Sequence, residues 1–351
     1  MTSRSHRHPA LAAALLGALA CGRSADPTAD LSGRQLAERY CASCHLLPEP
    51  ALLDQASWRR WVLPRMARRL GLRGVGDADA EERVEGGIAG ERVRAAGVFP
   101  DSARITRAAW QRLADYYLRA APAALGAPPT PPVAIGVPGF EVRVPTFRIA
   151  SPMVTLVHVD SVRHRIFVGD ATPTGPALTV LDAAGRVTAS YPLPSPVSHL
   201  QLDGDTMKLV FMGKLHPSDV PRGALAVITA WRPGSSPSIA WEVDTLQRPV
   251  HASYADLNGD GVQDAVVSEF GNLTGRLAWY ERTPAGVNVR HVLAPQPGAI
   301  TTVVRDFDGD GHLDVLALMA QGDEGIVLFR GGARAARSPA RRCSASRRRT
   351  A

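Results

Sequence analysis

Two stretches of the chain align without a gap at an offset of 50 residues. Asp256-Leu257-Asn258-Gly259-Asp260-Gly261-Val262-Gln263-Asp264 falls on Asp306-Phe307-Asp308-Gly309-Asp310-Gly311-His312-Leu313-Asp314. The correspondence continues past the loops, with Gly275 on Gly325, Leu277 on Val327 and Trp279 on Phe329. Each loop runs into a strand-like apolar segment, Ala265–Val267 and Val315–Leu318. A unit of this length with short strands inside it cannot bury its own apolar faces. It must stack on neighbours, and the period is that of propeller blades. Counting at this period places roughly four blades between Pro145 and Arg330. Earlier units are eroded: Gln201-Leu202-Asp203-Gly204-Asp205-Thr206 keeps two acids but has Leu209 at the last ligand position. A still earlier one retains only His158-Val159-Asp160 and Arg165-Ile166-Phe167-Val168-Gly169.

The loops have the chemistry of a hard oxygen site. Side-chain oxygens at loop positions 1, 3, 5 and 9, with glycine at 6 for the sharp turn, can surround one calcium ion. The candidate ligands are Asp256, Asn258, Asp260 and Asp264 in the first loop, and Asp306, Asp308, Asp310 and Asp314 in the second. An EF-hand is excluded, because position 12 holds Val267 or Ala317 and a strand follows instead of a helix. The alternative is a pair of tight solvated turns without metal. Segment 145–330 resembles the FG-GAP/VCBS-type repeats of integrin-like β-propellers, and the resemblance implies about two bound calcium ions in structural roles. His251 and Glu269 flank the first loop and are candidates for packing or for function.

The four cysteines are Cys21, Cys41, Cys44 and Cys343, and the middle pair sits in Cys41-Ala42-Ser43-Cys44-His45. This is the CxxCH pattern of c-type haem attachment. Two thiols one helical turn apart add across the haem vinyl groups, and the adjacent imidazole lies beneath the iron. A zinc site would need four ligands, and no further Cys or His occurs between His45 and His158. A plain Cys41–Cys44 disulfide is the other alternative and leaves His45 without a role. Ser32 and Gln35 form a capping box opening a helix into the motif. A second helix over 105–120 sets Trp110, Leu113 and Tyr117 in an apolar stripe for packing. Met66, the one methionine between the signal and Pro129, is the candidate distal iron ligand, with core filling as its alternative. Segment 23–125 resembles a mono-haem cytochrome c domain, implying one haem c on Cys41, Cys44 and His45.

Residues 1–21 read as an export signal. Arg4 and Arg7 precede an unbroken apolar stretch from Ala10 to Ala20, too short to span a bilayer. Ala18-Leu19-Ala20-Cys21 resembles a bacterial lipobox with Cys21 as the lipidated residue; ordinary cleavage near Ala20 is the alternative. Residues 126–144 are a proline-rich linker. The formal net charge of +7 invites a nucleic-acid partner, but residues 331–351 carry seven arginines and no acid, which accounts for the whole excess. Nucleic-acid binding is therefore not expected. That stretch lacks a strand pattern and reads as a disordered tail or a change of reading frame in a truncated gene, with a basic lipid-binding tail as the alternative.

The expected class is thus an α + β multidomain chain: a small all-α cytochrome c domain followed by an all-β propeller-like repeat domain. The expected function is extracytoplasmic electron transfer by an exported c-type cytochrome, in the periplasm or at the outer membrane or cell surface. A lipid anchor would hold it to the membrane. A calcium-stabilised propeller would serve as docking or ligand-binding platform, and the partner would be a redox protein or a small-molecule electron donor or acceptor. Two other classes remain open: a propeller dehydrogenase passing electrons to its own haem, and a calcium-dependent binding or adhesion protein. No nucleophile–base pair favours an enzyme over an electron carrier.

Overall fold

The computed structural model describes residues 26–76, 84–127, 130, 136–145, 147–149, 151–234, 238–283, 285–286, 288–321, 324–332 and 341–343. The segment read as an export signal, with Cys21, lies outside these residues. Helices occupy the first third of the chain and strands the remainder, so the content is mostly β with a few short helices.

Helix α1 (Gly33–Tyr40) begins with the expected box: Ser32 Oγ accepts the Gln35 N–H at 3.3 Å, and Gln35 Oε1 accepts the Ser32 N–H at 2.9 Å. Helix α5 (Arg107–Ala120) is capped by Thr106 and buries Trp110, Leu113 and Tyr117 on one face. The two helices cross at Gly33, where a Cβ would lie 2.4 Å from Arg112 O and 2.5 Å from Tyr116 Cβ. Only glycine permits that approach. Between them run α2 (Gln55–Ser57), a π-helical turn (Trp58–Val62) and α3 (Leu63–Arg69). Pro64 explains the wide turn: it has no N–H to donate, and its ring would strike the carbonyl one turn back in a regular helix. Leu36, Trp58, Leu63, Ala67, Leu113 and Tyr117 pack into one core. Helix α4 (Gly87–Ala95) follows.

Among the described residues sixteen strands form four antiparallel four-stranded meanders, each pairing its strands in chain order. The first sheet holds β1 (Val154–Asp160), β2 (Arg165–Thr172), β3 (Gly175–Asp182) and β4 (Val187–Pro192). The second holds β5 (Val197–Asp203), β6 (Thr206–Phe211), β7 (Gly223–Ile228) and β8 (Ala240–Leu246). The third holds β9 (Pro249–Ala255), β10 (Asp264–Glu269), β11 (Arg276–Arg282) and β12 (Asn288–Ala294). The fourth holds β13 (Ala299–Arg305), β14 (Asp314–Met319), β15 (Gly325–Phe329) and β16 (Arg341–Cys343). The last strand comes from the stretch that the sequence reads as a patternless tail. It pairs with β15 in the register Ile326–Cys343, where backbone hydrogen bonding does not require apolar alternation.

The first strands of the sheets pack in succession, β1 on β5, β5 on β9 and β9 on β13, which is a propeller-like radial order. Among the described residues β1 and β13 make no comparable contact, so the row is open. Strand periodicity fills the spaces between sheets. Leu209 joins the core between sheets one and two while its neighbour Val210 joins the next. Val267 faces sheet two and Val266 faces sheet four. Strands buried on both faces read as unbroken apolar runs for this reason. Side-chain bonds repeat between first strands: Thr155 Oγ1 donates to Val197 O at 2.7 Å, and Ser198 Oγ to Pro249 O at 3.0 Å.

One carboxylate ties the helical part to the strands. Glu85, just before α4, accepts from Ser218 Oγ at 2.8 Å, from the Asp219 N–H at 2.7 Å and from Lys214 Nζ at 3.2 Å. Asp219 in turn accepts the Thr274 N–H at 2.7 Å, joining loops of the second and third sheets.

Candidate functional site

The CxxCH residues lie on the turn that extends α1. Cys41 continues the helical backbone, its N–H donating to Ala37 O at 2.8 Å, and Ser43 Oγ donates to Tyr40 O at 2.8 Å. Neither thiol is in a disulfide. Cys41 packs against the helical core, and burial pushes its thiol up to about 11, with the Tyr117 hydroxyl acting against that shift. Cys44 is exposed. His45 is half-buried, with Nδ1 2.8 Å from Leu46 O. A carbonyl only accepts, so Nδ1 donates, and in the neutral ring Nε2 is then the nitrogen with a lone pair for a metal. A backbone acceptor on the far nitrogen also fixes the ring of a metal-ligating histidine.

The donor set therefore fits a covalently held haem: two free thiols, an imidazole of the required tautomer and an apolar flank. Met66 on α3 is half-buried and packs against the core that Cys41 and Leu47 also flank. Leu46, beside the motif, is 73% exposed. The stripe of Trp110, Leu113 and Tyr117 is structural: Tyr117 lies 4.4 Å from the Trp58 ring and donates to Pro48 O at 3.0 Å.

The Asp-rich loops connect β9 to β10 and β13 to β14, and both are built around their first aspartate. Asp256 accepts the N–H groups of Gly259 at 2.7 Å and Gly261 at 2.9 Å; Asp306 accepts those of Gly309 at 2.7 Å and Gly311 at 3.0 Å. All four glycines have φ between 77° and 85°, which brings their amides to the carboxylate. Those amides hold the Asp306 carboxyl below the usual carboxylate range. The last aspartate of each loop opens the following strand and is buried, at 1% exposure for Asp264 and 0% for Asp314. Asp264 accepts from Leu257 N–H at 3.2 Å and Arg282 N–H at 2.8 Å; Asp314 accepts from Phe307 N–H at 3.0 Å and Gly331 N–H at 2.7 Å. Burial raises the Asp264 carboxyl, against those hydrogen bonds.

The third position separates the loops. Asp306, Asp308 and Asp314 bring carboxylate oxygens within 4.8 Å of one another, a cluster of hard donors suited to a divalent cation. Asp308 also accepts from Arg330 Nη1 at 2.6 Å. In the first loop Asn258 occupies this position and donates to Glu281 Oε1 at 3.2 Å and to Asp260 Oδ2 at 3.3 Å. At the fifth position Asp260 accepts from Val262 N–H at 2.8 Å and Asp310 from His312 N–H at 2.9 Å. Arg330 and Glu281 were not singled out from sequence. Both sit one strand away from their loops, immediately after or two residues beyond the matched aromatic, and that offset was the available signal. The eroded earlier units lack the loop itself: Asp203 pairs with Thr206 across a tight turn.

Glu269 is a packing residue. It is 1% exposed and accepts from the Gln247 N–H at 2.7 Å and the Tyr280 hydroxyl at 2.8 Å. His251 stands on β9 with its ring 4.2 Å from that of His199 on β5. Burial lowers both imidazoles to about 4, with His251 and then His158 adding to the effect on His199.

Comparison with known proteins agrees with the repeat. The model of the FG-GAP-like repeat matches residues 256–317, which span both Asp-rich loops. No curated protein matches the sequence. A solved luciferin-regenerating enzyme is 13% identical over 54% of this chain, with a TM-score of 0.36. The aligned part of this chain spans 59% of that structure.

Proposed function

We propose that the chain is an exported c-type cytochrome that carries electrons outside the cytoplasm, with a calcium-stabilised propeller as its docking or ligand-binding platform. The observation that carries this reading is Cys41-Ala42-Ser43-Cys44-His45 at the end of α1, with both thiols free and the imidazole proton fixed on Nδ1. Cys41 and Cys44 would hold one haem c through thioethers, and His45 Nε2 would ligate its iron. Met66 is the proposed second axial ligand. Bound there, the haem supplies one-electron transfer at its iron. The chain's own contribution would be to fix the imidazole through Leu46 O and to set the two thiols beside the Trp58–Tyr117 core.

The two Asp-rich loops would each hold one calcium ion, through Asp256, Asn258, Asp260 and Asp264 and through Asp306, Asp308, Asp310 and Asp314. Their role is structural, because each loop fastens the start of an internal strand. The residues named 23–125, 126–144 and 145–330 would act as haem domain, linker and platform. Lipidation at Cys21 would keep the protein at the periplasmic or outer face of a membrane; among the described residues no helix is long and apolar enough to cross one. A redox protein or a small electron donor or acceptor is the expected partner.

The test is the visible spectrum of protein matured with a haem-attachment system. The expected result is a low-spin spectrum that interconverts reversibly between oxidised and reduced forms, with a weak sulfur-to-iron band that disappears in Met66→Ala. A high-spin spectrum would remove Met66 from the iron, and absence of haem would remove the electron-transfer reading altogether.

A further inference from the structure

Between the second and third sheets, beside the first Asp-rich loop, lies a cavity of about 120 Å3. Its apolar wall comes from Leu225, Val243 and Ala265, and its polar wall from Lys208, Tyr254, Glu242, Gln263, Arg282 and Asn288. The polar residues are unevenly matched. Glu242 and Arg282 neutralise each other at 2.7 Å. Asn288 is spent on the Glu242 carbonyl at 2.9 Å. Lys208 has no carboxylate in ion-pair contact among the described residues; its ammonium bonds the Gln263 side-chain carbonyl and lies 4.5 Å from the centre of the Tyr254 ring. Burial lowers the Lys208 pKa, with the more distant Asp203 and Glu242 opposing.

Tyr254 is the second anomaly. Its hydroxyl is buried with no hydrogen-bond partner in the protein. A buried phenol normally finds an acceptor, because leaving the group unpaired forfeits its hydration without return. A cation bonded to a neutral side chain and a phenol whose buried hydroxyl lacks an acceptor therefore belong to two residues that line the same small space. One anionic group would answer both.

We propose that this cavity binds a short-chain monocarboxylate, with its charge met by Lys208 and one oxygen accepting from the Tyr254 hydroxyl. The net charge of the wall is one positive unit once the Glu242–Arg282 pair is discounted, which matches a monoanion. The space has room for an acid of roughly two to four carbons. The apolar wall suits the alkyl end of such an acid. This gives a ligand class to the binding platform proposed above and rests on that part of the reading alone. The haem spectrum and the carboxylate titration can therefore fail separately.

The test is calorimetric titration of the full matured chain with acetate, propionate and lactate, at saturating calcium and constant ionic strength in a carboxylate-free buffer. Acetamide and chloride serve as neutral and anionic controls. The expected result is saturable one-to-one binding of at least one acid, absent for both controls and weakened at least about tenfold in Tyr254→Phe and in Lys208→Met. Tyr254→Phe keeps the ring under Lys208, so it preserves the fold. It should also raise the Tm of the ligand-free protein and cancel the rise produced by the acid, since the unpaired hydroxyl is gone. Three results would overturn the proposal: no saturable binding by any acid, equal binding by acetamide or chloride, or undiminished affinity in Tyr254→Phe. Each would leave a cavity that holds water only.

Discussion

The CxxCH turn and the Asp-rich loops both carry a cofactor pattern, yet they are finished to different degrees. The loops are closed by their own backbone: every first and last aspartate of the repeat already holds two amide groups, and Asp264 and Asp314 are sealed inside the sheets. An ion would add to a site that exists without it. The CxxCH turn is different. Cys44 is exposed, His45 is anchored only to the next residue's carbonyl, and Leu46 stands 73% in solvent. A small helical unit with an uncovered apolar edge has a meagre core, and a covalently held group would complete it. The difference teaches that an ion in the loops would act as a clamp, whereas a group held at the CxxCH turn would act as a missing piece of core.

The largest effect that could break this contrast comes from the thiols. Cys41→Ala with Cys44→Ala should abolish covalent haem and lower the stability of the helical part by several kcal/mol, since a bound group stabilises only the state that holds it. Calorimetry should resolve a separate early transition while the propeller transition stays in place. A single unchanged transition would show that haem completes nothing.

Next in size is Asp314→Ala, which strands the amides of Phe307 and Gly331 at a fully buried position. At about 1–3 kcal/mol for each unpaired group, a loss of about 2–6 kcal/mol is expected with or without calcium. Urea unfolding in calcium and in chelator reads it. If the loss appears only in calcium, the loop is not self-supporting and the contrast falls.

Acid should also act on the propeller through two buried imidazoles. His199 and His251 are depressed to about 4 by burial, from an ordinary value of 6.5. The unfolded chain takes up protons near pH 6.5 that the folded chain refuses until about pH 4, so stability is intact above this window and falls through it. The loss is on the order of 2–4 kcal/mol for the pair, discounted for residual exposure. His199→Gln with His251→Gln should flatten the pH dependence of propeller unfolding, and a slope unchanged by the double variant would assign it to other groups.

The smallest effect separates the two loops. Arg330 holds Asp308 at 2.6 Å and competes with any cation there. Arg330→Gln should strengthen calcium binding at the second loop about three- to tenfold, leave the first loop unchanged and shift stability by less than about 0.5 kcal/mol, as exposed ion pairs contribute little. Calcium titration monitored by calorimetry distinguishes this from equal behaviour of both loops.

Local patterns were legible in the sequence. The Ser32–Gln35 box, the Trp110–Leu113–Tyr117 stripe and the glycine-punctuated aspartate loops each depend on residues a few positions apart, and each forms as spaced. The long-range partners were not. Arg330 reaches Asp308 across a strand, Glu85 reaches Ser218 from another part of the chain, and Lys208 meets Tyr254 only when two sheets pack. The two loops looked equivalent by alignment, but three carboxylates gather only where aspartate replaces asparagine at the third position. The strand Arg341–Cys343 carried no apolar alternation to betray it, and backbone pairing does not require one. The π-helical turn at Trp58–Val62 had a local cause in Pro64, a signal present in the sequence but not used.

The most direct test of the account is the intact mass of protein matured with a haem-attachment system, measured after acid and organic-solvent extraction. A chain heavier by one haem, with the increment abolished when both Cys41 and Cys44 are replaced by alanine, is the predicted result. A chain at its bare polypeptide mass, or a haem removed by the extraction, would contradict it.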